Sequence, residues 1–369
     1  MQARRRHQTL SRSAAEGGPG AKRVAGEGRR SVVRPAPSPQ PSLPVGEKGS
    51  LAALSIGLSA VIVAASVHEP RVLTVQSGID GDGAVEALPS GPLEAEHRTL
   101  EIGLRSWVER QTSQRLGYVE QLYTFGDRDR VSGEATPALP ALVVAYLALV
   151  REAGPAGTAA AEWQSWYRYF PWEDWRNGKP PLLGPIEARL ERWACDAAGE
   201  AERRLREERR GLVFGRHGAS WNEELVLERY ELLYEAGLVA EAARDFGRPL
   251  VGLDGTSGVA MASDHRRILA TAIGRLRGKI KYRPVVFELM MPTFTLLQLQ
   301  RTVEALSGVR LHKQNFRRLV EQQGLVEETG QISVATGGRP ARLVRFRREV
   351  LLERPAPGLR LRAGRRIAG

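Results

Sequence analysis

The chain has 369 residues, a length that suits two domains or one large domain with tails. Hydrophobic residues make up 42%, enough for ordinary globular cores, and the single cysteine, Cys195, excludes an internal disulfide framework and a multi-cysteine zinc site. The net charge of +12 lies in the two tails, because residues 1–48 carry ten Lys or Arg against three acids and residues 354–369 carry five Arg and no acid.

The N-terminal 48 residues are rich in Arg, Gly, Pro and Ser and nearly lack large apolar side chains, so we expect disorder there. Residues 49–67 then carry no charge, but this run is shorter than the roughly 20 apolar residues of a membrane span. A second β-like run follows at 71–76. We therefore predict two strands of a buried sheet and no membrane insertion.

Residues 50–155 have the pattern of mixed strands and helix. One helix is expected over 98–112, where Leu100, Leu104, Trp107 and Val108 form an apolar stripe at helical spacing. Strands are predicted on both sides of this helix, at 61–65, 72–75, 119–125 and 142–149.

Residues 156–247 hold a Trp-rich stretch at 163–175, followed by long helical patterns at 185–209 and 221–245. The Trp-rich stretch suits a lid, a dimer surface or plain core packing, and core packing is the favoured interpretation. Gly-rich residues 248–261 are predicted to be a linker.

The third region, 262–350, has the pattern of three helices and a hairpin, and residues 308–349 carry nine basic and four acidic side chains. A helix over 295–306 is followed by a short turn and a helix over 312–323, whose Phe316, Leu319 and Val320 are expected to face inward. The opposite face and its flanks suit phosphate contact and base reading in a major groove. These candidate DNA-binding residues are Lys313, Gln314, Asn315, Arg317 and Arg318.

A wing is predicted after this helix, which Gly324 closes. Two β-like runs, at 325–328 and 341–346, enclose a loop that contains Gly, Pro and a basic residue. Arg339 and Arg342 are the wing residues that we expect to reach phosphates or a minor groove.

These segments resemble the winged helix of the Nudix-related transcriptional regulators of NAD metabolism, the NrtR family. The matching stretches are RLRGKIKY (275–282), FELM (287–290), FTLLQLQ (294–300), KQNFRRL (313–319) and GGRPARLVRF (337–346). The resemblance implies a bacterial, cytoplasmic repressor of NAD-biosynthesis genes that binds a palindromic double-stranded DNA operator as a homodimer.

The resemblance also implies a Nudix domain before the winged helix, and LPSG (88–91), QLYTFGD (121–127) and VVAYLALV (143–150) are similar to that family. The Nudix box itself is degenerate, so the clustered carboxylates that hold Mg²⁺ for hydrolysis are mostly missing. Its positions are Gly91, His97, Arg105, Ser106, Glu109 and Arg110, with Thr112 at the last Gly position. We expect no catalysis, no metal site and no cofactor, although Glu94, Glu96, Glu101 or Asp127 leave room for rescue.

A degenerate pocket can still bind a ligand, and the resemblance suggests ADP-ribose or a related nucleotide as effector. Arg105 and Arg110 are candidates to hold its pyrophosphate, and Tyr123 and Phe125 to stack on its adenine. The alternative makes the aromatic pair plain core residues and Arg105 a structural ion-pair partner.

The predicted fold class is α+β: an N-terminal Nudix-like α/β/α sandwich with a helical insertion, plus a C-terminal winged helix-turn-helix domain. Nucleotide binding would shift the dimer between geometries of different DNA affinity. The alternatives are an active Nudix hydrolase of nucleoside diphosphate derivatives with an accessory nucleic-acid-binding domain, and a nucleotide-binding adaptor without an operator. The predicted boundaries are 1–48 (tail), 49–247 (Nudix-like), 248–261 (linker), 262–350 (winged helix) and 351–369 (basic tail).

Overall fold

The computed structural model describes residues 55–77, 85–126, 141–151, 161–216, 218–247, 257–333, 340–359 and 365–366. All of these residues lie in one compact unit, Ala52–Gly369. The predicted tail over 1–48, Asp127 and Arg339 lie outside the described residues. The division of the unit into two domains stays a prediction.

A mixed sheet forms the centre of the N-terminal half. Its strands in the described residues are β1 (Ser55–Ala65), β2 (Pro70–Ser77), β3 (Val85–Ala87), β4 (Ser90–Pro92), β5 (Tyr118–Phe125), β6 (Ala141–Leu149) and β7 (Ala161–Ser165). They are ordered β3-β2-β1-β6-β5, with β4 on β1 and β7 on β2. Strands β1 and β6 are parallel, from the pair Ser55 and Ala141 to the pair Val63 and Leu149. Because both strands are central and covered on each face, their sequences are nearly continuous apolar runs.

The apolar run that begins at residue 49 therefore contributes a buried strand, β1, as predicted. Among the described residues, no helix combines the length and the apolar character that crossing a membrane requires.

Helix α1 (Leu100–Thr112) covers one face of this sheet. Its Leu104 and Val108 are fully buried against β1 and β6 side chains such as Leu58 and Tyr146. Thr99 caps the helix by accepting a hydrogen bond from the Ile102 amide, which satisfies one of the free donors of the first turn. The helix predicted over 98–112 is thus confirmed.

The opposite sheet face packs against the Trp-rich stretch and the helices that follow it. Trp166 and Trp172 have no exposed surface, so this stretch is core, as favoured from the sequence, and not a lid. The two predicted long helices are each divided, because the chain breaks near Gly199 in an extended conformation and near Gly237 at φ +70°. The resulting helices are α2 (Leu183–Cys195), α3 (Glu200–Val213), α4 (Val226–Glu235) and α5 (Ala240–Asp245).

Two predicted loose segments are packed where the structure describes them. Residues 257–261 of the predicted linker are fixed to the core, with Met261 fully buried and its amide 3.0 Å from Glu241 Oε1. In the predicted basic tail, Leu359 is buried and its amide donates to the Ile280 carbonyl at 3.0 Å. The short strands β8 (Ser220–Trp221) and β11 (Arg365–Arg366) also pair. Both segments are rich in Gly, Pro or Arg, a composition that suggests loose chain, but a buried apolar side chain, Met261 or Leu359, fixes each of them to the core.

The C-terminal region is a winged helix-turn-helix, as predicted, and the α+β class is confirmed. Its elements are α6 (His265–Tyr282), α7 (Leu296–Ser307), α8 (Lys313–Gln322), β9 (Val326–Ser333), β10 (Ala341–Phe346) and the short α9 (Val350–Glu353). Thr295 and Gln298 form a capping box at the start of α7. Gly308 ends α7 at φ +75° and Gly324 follows α8 at φ +54°, backbone conformations that favour glycine.

Candidate functional site

Helix α8 has a buried face and a polar face, as the sequence predicts. Phe316 and Val320 are buried at 2% and 0% exposure, and Leu319 is half-buried. The candidate base-reading and phosphate-binding side chains are all exposed: Lys313, Gln314, Asn315, Arg317 and Arg318. In the described part of the chain, these five side chains form no ion pair or side-chain hydrogen bond. Three positive charges and two amides are thus available to a ligand on one helix.

The turn that presents α8 is fixed by a buried acid, Glu304, that sequence reasoning missed. One carboxylate oxygen, Oε1, accepts hydrogen bonds from the Leu311 amide and from Gln300 Nε2, both at 2.9 Å. The other, Oε2, lies 3.0 Å from Arg310 Nη1. A charged group that is 4% exposed is stable only when it is paired in this way. The only sequence signal was the spacing of Gln300 and Glu304 on one side of α7.

The wing is a β9–β10 hairpin that packs firmly on the domain. Phe346 stacks on Phe287 with ring centroids 4.3 Å apart, and Phe294 pairs with Val344 through backbone hydrogen bonds of 3.0 and 2.8 Å. Its arginines differ from those of α8, since each described one has an acidic partner on the neighbouring strand. Arg342 Nη1 lies 2.7 Å from Glu328 Oε1, and Arg345 Nε lies 2.6 Å from Glu327 Oε1.

The residues of the degenerate Nudix box lie on α1 and on the segment that precedes it. A side chain at Gly91 would meet the Trp107 ring at 2.2 Å, which explains why glycine stands there. His97 is largely buried and its Nδ1 accepts from the Glu94 amide at 3.1 Å. Ser106 is half-buried, and Glu109 is exposed with Arg115 Nε 3.4 Å away.

The two box arginines are engaged with protein groups. Arg105 pairs with Glu101 at 2.8 Å and donates to the Leu116 and Gly117 carbonyls. Arg110 lies 3.0 Å from Glu94 Oε2, with its guanidinium carbon 3.9 Å from the centroid of the Trp107 ring. Glu94 and Glu101, two acids considered for catalytic rescue, are therefore occupied by cations.

Within the described ranges, no group of three or more His, Cys, Asp or Glu side chains is arranged to hold a metal ion. Mg²⁺ prefers several oxygen ligands in near-octahedral geometry. Glu109 with an arginine as its neighbour at position 110 does not supply such a set. The side chains present on α1 therefore do not fit the metal that Nudix hydrolysis uses.

The four candidate effector residues do not form one cluster. Arg105 and Arg110 lie on α1, over one sheet face, while Phe125 belongs to the core of the opposite face. Tyr123, 60% exposed, makes an edge contact with Phe125 at 5.3 Å between centroids, and Arg267 lies 5.4 Å from the Phe125 ring centre. Neighbouring positions in sequence had suggested a common pocket, but α1 covers one face of the sheet and Phe125 of β5 points to the other.

A helix-turn-helix followed by a packed hairpin, with exposed basic side chains on its second helix, is the arrangement of a DNA-binding winged helix domain. Residues 286–346 match the family model of the NrtR DNA-binding winged helix domain. This match confirms the resemblance to the winged helix of NrtR-type regulators. The chain is also 44% identical over 86 residues to the ADPR responsive transcriptional repressor NtrR of Acinetobacter baylyi. That match covers 23% of this chain and 34% of the relative, so it spans about a third of the relative's length.

Solved structures with a similar arrangement include NrtR of Shewanella oneidensis, at 20% identity and a TM-score of 0.47, covering 80% of this chain and 95% of that one. The same protein in complex with a 27mer DNA gives 19% identity and a TM-score of 0.48, with 80% and 94% covered. A MutT/nudix family protein from Enterococcus faecalis gives 18% identity and a TM-score of 0.47, with 83% and 89% covered.

Proposed function

We propose that this chain is a cytoplasmic, DNA-binding transcriptional repressor of NAD-metabolism genes whose N-terminal domain senses ADP-ribose or a related nucleotide. The observation that carries the proposal is the exposed face of α8. Arg317 and Arg318 have no protein partner among the described residues, although most other described arginines are paired. Unpaired cations on a rigid helix beside amide side chains are suited to phosphates and base edges.

The operator DNA and the ADP-ribose effector are proposed by analogy with the Acinetobacter baylyi relative, an ADPR responsive transcriptional repressor. An operator read by two winged helices requires a homodimer with half-sites about one helical turn apart. A nucleotide changes DNA affinity only if it binds the two dimer states unequally. Arg110 and Arg105 remain candidate pyrophosphate contacts, and binding there would need Arg110 to exchange Glu94 for the ligand.

We further propose that the N-terminal domain is not catalytic. Support comes from the three box positions where a carboxylate is expected but missing, His97, Ser106 and Arg110, and from the ion pairs that occupy Glu94 and Glu101. Without a carboxylate cage, neither the phosphoryl group nor a water molecule is activated by a metal.

The test is fluorescence anisotropy with a labelled duplex from upstream of the NAD-metabolism genes of the same genome, against a scrambled duplex, with and without ADP-ribose. Wild-type protein is expected to prefer the genomic duplex, and ADP-ribose to change its affinity. The variant Arg317→Ala with Arg318→Ala should lose most of this binding and show a shallower salt dependence, by about one unit per lost phosphate contact.

The matched control removes the same charge from another exposed helix. Arg203→Ala with Arg204→Ala on α3 leaves α8 intact, and both arginines are exposed and paired with Glu200. Equal losses in the two double variants would mean that only net charge matters, and the winged helix would not be the reading element.

A further inference from the structure

The Trp-rich stretch is bonded directly to the end of α7, the first helix of the helix-turn-helix. The hydroxyl of Tyr167 donates to the Ala305 carbonyl at 2.6 Å, and the Trp175 amide donates to the Gly308 carbonyl at 2.7 Å. The last carbonyls of a helix lack partners within the helix, so they must be satisfied from outside. Here the partners come from residues more than 130 positions earlier in the chain.

Arg277 of α6 supplies a further bond at the same place. Its Nε donates to the Leu306 carbonyl at 3.0 Å, while its Nη1 lies 2.6 Å from Glu173 Oε2. Both side chains are 1% exposed. Exposed helix ends can bond to water, but this one bonds to a buried ion pair and is therefore fixed in direction.

Gly308 shows how closely the two segments approach. A Cβ at this position would lie 2.4 Å from the Glu173 carbonyl oxygen and 3.0 Å from the Tyr167 hydroxyl. The backbone also stands at φ +75°. The Trp-rich stretch and the turn of the helix-turn-helix are thus in backbone contact, with no room for adjustment.

The same stretch is continuous with the sheet. Strand β7 (Ala161–Ser165) pairs with β2 from Arg71 to Val75 and leads directly into Trp166. At the other end, Glu304 holds the turn that carries α8. A covalent and hydrogen-bonded route therefore runs from the sheet through residues 166–176 to α7 and the recognition helix.

We propose that Tyr167, Glu173 and Arg277 are positioning residues for DNA recognition. They set the direction of α7, and hence of α8, relative to the sheet, and they transmit nucleotide-driven shifts of the sheet to the DNA-reading face. This inference rests on the proposed function, and it assigns the regulation to the contact between the Trp-rich stretch and α7.

The first test is Tyr167→Phe, which removes one hydroxyl and leaves the ring in the core. Its matched control is Tyr169→Phe, two residues away, whose buried hydroxyl bonds to Glu86 on the sheet and not to α7. We expect Tyr167→Phe to weaken binding of the genomic duplex about tenfold and to reduce the ADP-ribose response. Tyr169→Phe should leave the affinity for the genomic duplex within about twofold, because its hydroxyl does not touch α7.

The second test is Gly308→Ala, with Gly237→Ala as control. Both glycines have similar positive φ, +75° and +70°, but nothing lies within 4 Å of a Cβ at Gly237. The two variants therefore share the backbone strain, and only Gly308→Ala pushes α7 away from Glu173. Unchanged DNA affinity and ADP-ribose response in both Tyr167→Phe and Gly308→Ala, with folded protein, would overturn the proposal.

Hydrogen exchange of the α7–α8 peptide separates this inference from the proposed function. Faster exchange in Tyr167→Phe than in Tyr169→Phe supports the docking of α7 on the Trp-rich stretch. Equal exchange contradicts it, independently of the result of the DNA-binding measurement. If wild-type protein binds no genomic duplex, the proposed function fails. If wild-type binds and Tyr167→Phe binds equally well, only the positioning role fails.

Discussion

The guanidinium of Arg277 joins the carboxylate of Glu173, 2.6 Å from its Nη1, to the Leu306 carbonyl, 3.0 Å from its Nε. Arg229 approaches the same carboxylate, with 2.5 Å from its Nε to Glu173 Oε1. Burial alone would raise the pKa of Glu173, but the two arginines more than offset it and hold the pKa below its ordinary value. One buried acid is thus the shared ion-pair partner of two buried arginines.

The first prediction concerns this acid. Glu173→Ala should lower the free energy of unfolding by about 3–5 kcal/mol, because Arg229 and Arg277 would remain buried without a counter-charge. Urea unfolding followed by tryptophan fluorescence measures the change. The control is Glu200→Ala, whose exposed carboxylate pairs with arginines on the surface of α3 and whose loss should cost far less stability, because water screens the pair. Similar losses in both variants would contradict the buried network.

The second prediction is a pH dependence from His265 at the start of α6. Its ring is buried, its Nδ1 accepts from the Leu88 amide at 3.0 Å, and burial, together with the charge of Arg244, lowers its pKa to about 4. The unfolded chain takes up a proton near pH 6.5, whereas the folded chain resists until about pH 4. The free energy of unfolding should therefore decrease as pH falls through this window, by about 3 kcal/mol in total.

Unfolding measured at intervals between these two pH values checks this slope, with His265→Asn as the test variant. Asn keeps an acceptor for the Leu88 amide but cannot titrate, so its slope should be shallower than that of the wild type. Ile268→Val, one turn further along α6, serves as control: it should cost about 1 kcal/mol at every pH and leave the slope unchanged. An equal slope in wild type and His265→Asn would show that another group titrates.

Sequence reasoning succeeded where the information is local. The 3.6-residue period of Phe316 and Val320 locates the polar face of α8, and apolar runs locate β1 and β6. It failed where function depends on distant partners. The ion pair of Glu173 and Arg277 joins residues 104 positions apart. In the sequence, each of them alone is typical of an exposed charged side chain.

The candidate effector cluster shows the same limit. Arg105 and Phe125 lie close in sequence, but α1, which carries Arg105, covers one face of the sheet, and the Phe125 side chain points to the opposite face. A one-residue irregularity in β5, between Gln121 and Tyr123, also changes which side chains share a face. Such a bulge has no reliable signature in one sequence.

The third prediction concerns the wing acids. Glu328 holds Arg342 at 2.7 Å and, as an exposed carboxylate, repels a nearby phosphate. Glu328→Gln should therefore increase DNA affinity several-fold, by about 1 kcal/mol, and steepen its salt dependence, since Arg342 becomes free to contact DNA. Anisotropy titrations at several salt concentrations measure both effects. The control is Glu202→Gln, which removes the acidic partner of Arg206 on α3, outside the winged helix, and should change neither value. A weaker affinity in Glu328→Gln would mean that the ion pair shapes the wing for binding.

The fourth prediction concerns metal at α1. Mg²⁺ should leave the melting temperature of the wild type unchanged and ADP-ribose unconsumed, because Arg110 places a positive charge beside Glu109 and removes Glu94 as a ligand.

The variant Ser106→Glu with Arg110→Glu places three carboxylates within one turn and frees Glu94. Mg²⁺ should then stabilise it, since a ligand that binds only the folded state raises the melting temperature. Ser106→Gln with Arg110→Gln separates charge from size and should not respond. Consumption of ADP-ribose by the wild type, measured by chromatographic detection of the AMP that pyrophosphate hydrolysis yields, would show that acids outside α1 complete the site, and the N-terminal domain would be an enzyme.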